Sequence, residues 1–293
     1  MLSYSRPIER CRPLLGTFVR IRVEGLAPER AHAAIDAAFA EITVIHRLMS
    51  FHEVESDVSR LNREAYLKSV VVDFRTHEVL ARAVGISSHG DGAFDITVAP
   101  ELVARGQLPV PEAPAPDATA MWRDIVLLDG TQVRHLKPLW IDLGGIAKGY
   151  AVDRATAILW AFSPTQASVN AGGDLCIMGP DSERIRLAPD HCESDAAAMM
   201  DLENGSLASS CGQMAGRRLG RCPTGCHVDT RHGRALHAHQ FVSVVAPRCM
   251  DADALTKIVM AKGACSAPLL AKYGARALVH DAKFGWRTIP RAA

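Results

Sequence analysis

The sequence has no excess of charge of either sign: 33 lysines and arginines stand against 32 aspartates and glutamates in 293 residues. Nucleic-acid binders normally carry a concentrated basic surplus, so nucleic acid is not an expected partner. Long hydrophobic runs are missing too, and no uninterrupted apolar stretch reaches the length needed to cross a bilayer. The N-terminal stretch from Met1 to Arg12 carries charge where a signal peptide requires apolar residues, which gives a cytoplasmic expectation. Internal repeats are absent. So is a dense disulfide framework: the eight cysteines are scattered over a long chain, and free thiols are expected. One local cluster, Cys222, Cys226 and His227 with His232, His237 and His239 downstream, keeps a zinc or redox site open. Its first cysteine is one residue too distant for haem attachment, and no second Cys-x-x-Cys pair completes a zinc set.

What is present is a globular composition, 48% apolar with almost no net charge, long enough for one elaborate domain or two closely packed ones. Leu15 to Val23 alternates apolar and polar from Val19, as a half-buried strand does. A helix of about 20 residues follows Pro28, with Ala31, Ile35, Ala38, Phe39, Ile42, Ile45 and Met49 as its core stripe. Val70 to Val72 is a further strand candidate, and Thr76 can cap the helix after it. Gln107 to Ala120, rich in proline, reads as an exposed excursion. Ile125 to Leu128 and Gln132 to His135 flank Asp129-Gly130 as a hairpin. Later strands are expected at 167–170, 184–187, 199–202, 206–209, 241–245 and 275–280. Helices are expected from Asp251 or Asp253 and over 267–272. Strands and helices interleave, but hairpins outnumber strand–helix–strand units, which favours a mixed α+β fold over a doubly wound parallel sheet.

The most informative stretch is Leu139 to Arg154, Leu-Trp-Ile-Asp-Leu-Gly-Gly-Ile-Ala-Lys-Gly-Tyr-Ala-Val-Asp-Arg. It reads as a buried strand ending at Asp142, a glycine turn, and a helix with Tyr150, Ala151, Ala155, Ile158, Leu159 and Phe162 on one face. Backbone N–H groups at such a helix start suit an anion, and Lys148 adds a full charge. The spacing is neither Gly-x-x-x-x-Gly-Lys-Ser/Thr nor Gly-x-Gly-x-x-Gly, so a Walker loop and a Rossmann turn are excluded. Glycine-containing turns near Gly16, Asp95 and Gly172 join it in outlining one crevice lined by main chain.

Seven pieces in order carry a resemblance. They are Leu15-Gly16-Thr17; Met49-Ser50-Phe51; Ser56-Asp57 with Arg60-Leu61-Asn62; Gly92-Ala93-Phe94-Asp95-Ile96-Thr97-Val98; Ile141 to Asp153; Ser168 to Asp174; and Ala252-Asp253-Ala254-Leu255. Together they resemble the ApbE family, flavin transferases that move FMN from FAD onto a protein threonine or serine. The resemblance implies an α+β domain over residues 12–290, of two packed lobes with an FAD cleft between them. It implies cofactor contacts from Leu15, Phe51, Ala93, Phe94, Asp95, Lys148, Arg154 and Val228. It implies Mg²⁺ held by the Ala151 carbonyl, Asp253 and Thr256, with FAD as substrate and an acceptor flavoprotein as partner. His227, Asp253 and Lys257 are the implied catalytic residues.

Two departures stand out. Lys257 occupies a position where the family has threonine, and a charged ammonium has no lone pair for a metal. The family's Thr-Ser-Gly and His-x-x-Asp-Pro motifs become Ala208-Ser209-Ser210-Cys211 and Cys226-His227-Val228-Asp229-Thr230, leaving either His227 or Cys226 at the histidine position. The family's acceptor pattern, Asp/Ser-Gly-x-Thr/Ser-Gly-Ala-Thr/Ser, does not occur. The readings are therefore a Mg-assisted FMN transferase, a non-catalytic FAD-binding or flavin-donor protein, or a Cys/His metal-site protein.

Overall fold

The computed structural model describes residues 6–189, 197–212, 227–236, 240–281 and 283–289. A hairpin comes first. β1 (Ile8–Leu14) pairs with β2 (Thr17–Glu24), Leu14 opposite Thr17, leaving Leu15 and Gly16 for the turn at φ 55° and 70°. Positive φ at both turn positions matches the twist of the flanking strands. Sequence periodicity does not reveal β1, because Glu9, Arg10 and Arg12 give it the charged character of an edge strand.

α1 (Pro28–Met49) buries the expected stripe and starts on a proline. α2 (Asp57–Glu64), β3 (Val70–Val71) and α3 (Phe74–His89) follow. Asp73, not Thr76, caps α3, accepting from the Arg75 N–H. Thr76 lies inside the helix, and its hydroxyl donates to Asp57 at 2.7 Å. A 3-10 turn at Ile96–Val98 leads into α4 (Ala99–Ala104), which the sequence reading did not anticipate. The hairpin of β4 (Ile125–Leu128) and β5 (Gln132–His135) forms as expected, and β3 joins it in a three-stranded sheet.

α5 (Ala147–Ala161) precedes β6 (Gln166–Ala171), β7 (Asp174–Met178), β8 (Glu183–Leu187), β9 (Ala198–Leu202) and β10 (Gly205–Cys211). Then come β11 (Val228–Asp229), β12 (Arg234–Ala235), β13 (Gln240–Ala246), α6 (Cys249–Lys262), α7 (Ala267–Lys272), β14 (Arg276–Asp281) and β15 (Gly285–Ile289). Among the described residues the largest sheet has eight strands, ordered β1-β2-β6-β7-β10-β13-β14-β15, every pair antiparallel. The mixed α+β class follows directly.

Strand alternation separates the two faces of this sheet. Val169, Ala208, Val242 and Val244 point into the main core with α1, α5 and α6, whereas Leu175, Ile177, Leu207 and Phe241 form a second cluster with Leu187 and Leu202 of the β8–β9 hairpin. Asp174 and Ser210 alternate with the second group, so they face the helices. That face carries the candidate site.

Two expectations change. The stretch ending at Asp142 joins no ladder: Leu139 to Leu143 is extended but unpaired as a strand. Instead the Asn62 amide accepts from Ile141 N–H at 2.8 Å and donates to its carbonyl at 3.2 Å, and Asp142 N–H donates to the Ile96 carbonyl at 2.8 Å. One side chain satisfies the backbone that a neighbouring strand would otherwise satisfy. The helical stretch from Cys249 to Lys272 also has the length and mean hydropathy of a membrane span. Its apolar character serves the core, since nearly all of α6 through Met260 is buried, and a 3-10 turn at Gly263–Ser266 divides it.

Candidate active site

The site forms where α5 and α6 begin side by side. Gly149 permits the approach: a Cβ there would lie 2.4 Å from the Cys249 carbonyl oxygen. The two helices exchange caps. Asp153 of α5 accepts from the Cys249 and Met250 N–H groups at 2.8 and 2.9 Å, while Asp253 of α6 accepts from the Gly149 N–H at 3.3 Å. Each carboxylate thereby meets the positive end of the other helix. Burial still dominates at Asp153 and pushes its pKa up to about 6.

The same contact sets a four-charge cluster. Lys148 Nζ donates to Asp174 Oδ2 at 2.5 Å and lies 3.6 Å from Asp253 Oδ2. Lys257 Nζ donates to Asp253 Oδ1 and, at 3.0 Å, to the Asp253 carbonyl. Both carboxylates are almost fully buried. Asp174 is held above the ordinary carboxylate range by burial and the charge of Asp253. Asp253 lies below it because two ammoniums and a helix N–H outweigh its burial. Asp174 is a site residue that its own letter could not announce. Gly172 and Gly173, at φ 66° and 99°, make the tight β6–β7 turn that delivers it, with the Gly173 N–H held by Asn170 Oδ1 at 3.0 Å.

A cleft of ≈ 330 Å³ opens beside the cluster, and of the residues expected in the site it is lined by Ala93, Phe94, Asp95, His227, Val228 and Lys257. Asp142, Gly144 and Gly145 complete its floor, and Leu102 and Leu108 add apolar wall. Gly145 is fitted to its neighbours, since a Cβ would stand 3.2 Å from Phe94 Cε2 and 3.5 Å from Lys257 Cε. Asp95 fixes the Phe94 loop: its carboxylate accepts from the Thr97 N–H and hydroxyl, both at 2.9 Å, and from the Trp122 N–H at 3.2 Å. Thr230 donates to the Gly92 carbonyl and so fastens the β11–β12 hairpin to that loop. A second hollow of ≈ 410 Å³ shares Asp95, Val98, Val228 and Thr230 with the first and is bordered by Arg123 and Arg231. Burial, reinforced by the Lys257 and Lys148 charges, holds the His227 imidazole down at about 3. It is therefore neutral near pH 7.

Other expected residues lie elsewhere. Leu15 is part of the hairpin turn and, like the buried Phe51, packs on the main core. Arg154 donates to Glu41 at 3.1 Å, and Glu41 also receives Arg75, so Arg154 belongs to an ion cluster between α1 and α5. Ala151 is fully buried inside α5, where its carbonyl belongs to the helical ladder. The N–H groups expected to cradle an anion are mostly engaged: Gly144 with Asp142, Ala147 with Leu143, Gly149 with Asp253, and Tyr150 with Ile146. Attraction for an anion thus comes from the lysines. The Ser56 to Asn62 motif is scaffold, with Asp57 receiving Thr76, the Asp73 N–H and Arg60. Cys222, Cys226, His237 and His239 lie outside the described residues. His232 faces Asp229 at 3.0 Å. Cys11, Cys176, Cys249 and Cys265 are free thiols, as expected.

The oxygens test the fit to Mg²⁺. Both Asp253 carboxylate oxygens and its carbonyl already accept hydrogen bonds. Thr256 Oγ1 donates to the Asp253 carbonyl and meets Ser210 Oγ, both at 2.7 Å. Asp174 Oδ1 is buried with no hydrogen-bond partner. One such oxygen is not the octahedral oxygen shell that Mg²⁺ demands. Among the described residues no group of three or more His, Cys, Asp or Glu side chains could hold a metal ion. The residues present do not fit the metal.

A largely apolar cleft that carries the Lys257 ammonium and a neutral imidazole, on an antiparallel α+β frame, has the makings of an enzyme's ligand site. The chain belongs to the ApbE family, whose sequence model matches residues 15–279. It is 26% identical over 283 residues to the FAD:protein FMN transferase of Treponema pallidum, covering 85% of this chain and 77% of that protein. The Escherichia coli K12 protein of the same name is 24% identical over 273 residues, covering 85% and 76%. The crystal structure of the ApbE protein from Thermotoga maritima superposes with a TM-score of 0.81 at 25% identity, covering 96% of each chain. The flavin transferase ApbE from Vibrio cholerae, at 21% identity over 97% of this chain and 96% of that one, shares the fold with a TM-score of 0.78.

Proposed function

We propose that this chain transfers FMN from FAD to a threonine or serine hydroxyl of an acceptor flavoprotein and releases AMP. The observation that carries this reading is the convergence of Phe94, His227 and Lys257 on one cleft in a chain of the ApbE family. The apolar wall suits a flat ring, and the adjoining hollow gives a two-part ligand a second compartment. The acceptor oxygen bonds to the FMN phosphorus as the bond from that phosphorus to the bridging oxygen breaks, and AMP departs with that oxygen. His227 takes the hydroxyl proton. Burial, with the lysine charges, holds down its basicity in the free protein, and an anionic pyrophosphate beside the lysines offsets their share of that shift when substrate is present. Positioning and neutralisation of developing charge carry most of phosphoryl transfer. These steps need no magnesium, and the Asp253 and Thr256 oxygens that would hold it are already engaged.

The test is incubation with FAD and a peptide bearing the Asp/Ser-Gly-x-Thr/Ser-Gly-Ala-Thr/Ser pattern, read by mass spectrometry. Peptide gaining FMN with equimolar AMP is the expected result. FAD retained without transfer would leave the chain as a flavin-binding donor and sink the transferase reading.

A further inference from the structure

We propose that the Lys257 ammonium stands in for a metal ion in this chain, neutralising Asp253 and presenting a fixed positive charge to the ligand's pyrophosphate. The inference rests on the FMN-transfer reading for its substrate but on the geometry of α6 for its substance. Lys257 is not a solvated surface lysine, since its side chain is 12% exposed and its ammonium is anchored on both the carboxylate and the carbonyl of Asp253. An ammonium has three donors, so two anchors leave one for a ligand in the cleft that Lys257 lines.

Charge balance argues the same way. Asp174 and Asp253 contribute two negative charges, and Lys148 and Lys257 two positive ones, so the cluster closes at zero. A divalent cation arriving there would face two ammoniums already paired with these carboxylates, while Asp142 on the cleft floor accepts from the Gly144 N–H. Threonine at 257 would leave the cluster one negative charge in excess and free Asp253 Oδ1, which is the setting a hard cation prefers. The surroundings are shaped for the lysine as well. Gly145 leaves room for its stem, and the Thr256 hydroxyl is locked between the Asp253 carbonyl and Ser210.

The experiment titrates Mn²⁺ into the metal-stripped full chain, wild type and K257T, by electron paramagnetic resonance. FMN transfer is measured in parallel in EDTA and in Mg²⁺. The wild type should take up no stoichiometric Mn²⁺ and should transfer at the same rate in EDTA as in Mg²⁺. K257T should bind one Mn²⁺ per chain and lose roughly a hundredfold in rate in EDTA, recovered by Mg²⁺, the scale of one lost transition-state charge contact. Stoichiometric Mn²⁺ on the wild type, or wild-type transfer abolished by EDTA, overturns the assignment, and neither result depends on the variant folding. Should the wild type transfer no flavin under any condition, the transferase reading falls. The titration then decides Lys257 alone: uptake by the wild type overturns it, and uptake confined to K257T supports it.

Discussion

Replacing Lys148 with methionine keeps the length and apolar stem of the side chain and removes its charge. Asp174, 1% exposed, then loses the one cation within hydrogen-bond distance among the described residues and keeps Asp253 as a like-charged neighbour. Breaking a buried ion pair from one side costs about 3–5 kcal/mol, because the remaining charge is left without solvent or partner. Lys148 itself keeps 31% of its side chain in solvent, which places the expectation at the lower end, about 3 kcal/mol. In a chain of this size that is a fall in Tm of roughly 6–12 °C. The cost has a defined pH dependence. The folded pKa of Asp174 is already raised above its ordinary value of 3.8, and removing Lys148 raises it further. A raised carboxyl contributes stability below the unfolded pKa and loses it as pH rises through the folded pKa. The K148M deficit should therefore be small near pH 4 and widen toward pH 8. Urea titrations of both proteins across that range measure it, and K148M/D174N should recover most of the loss at pH 8. A deficit that stays constant with pH, or that D174N does not relieve, would refute the pairing of Lys148 with a buried, charged Asp174.

Other perturbations read other joints. N62A leaves the Ile141 N–H and carbonyl without partners, at about 1–3 kcal/mol for each buried group; FAD affinity should weaken with stability, as equilibrium dialysis and thermal melts together would record. G149A drives a methyl into the Cys249 carbonyl, so α5 and α6 must separate at a cost of about 1–3 kcal/mol, and an unchanged melting curve would contradict the close approach. D153N keeps one acceptor for two N–H groups and should cost about 1 kcal/mol as a lost cap. Because the wild-type carboxyl is raised to about 6, its contribution is full below pH 4 and lost as pH rises through 6. The D153N deficit should thus grow as pH falls from 7 to 5 in chemical denaturation.

The fold was legible wherever local pattern and tertiary role agree. α1 and the β4–β5 hairpin stand where their periodicity and turn residues put them. β1 was illegible because an edge strand may alternate charge instead of apolarity. α4 was hidden by its neighbours, a glycine- and aspartate-rich turn before it and a proline-rich stretch after. That concealment also kept Leu102 and Leu108 out of the expected cleft. The stretch before Gly144 looked like a strand because it is apolar and buried; what sequence could not convey was that a side-chain amide, 79 residues earlier in the chain, replaces the ladder.

The site shows a different limit. The segments that motif order names do different work: Ser56 to Asn62 holds the floor, Arg154 ties α1 to α5, and Asp174 carries charge to the centre. Read along one helix, Lys257 is only a departure from a metal-binding motif. Across the α5–α6 joint it is the residue that balances Asp253, given that Lys148 already answers Asp174. A one-letter departure from a family pattern therefore cannot be scored alone, because the charge it must match sits on another element. Lysine at 257 is electrostatically consistent only while Asp174, Asp253 and Lys148 are all retained, and the loss of any one would reopen the place for a metal or leave a buried charge unpaired.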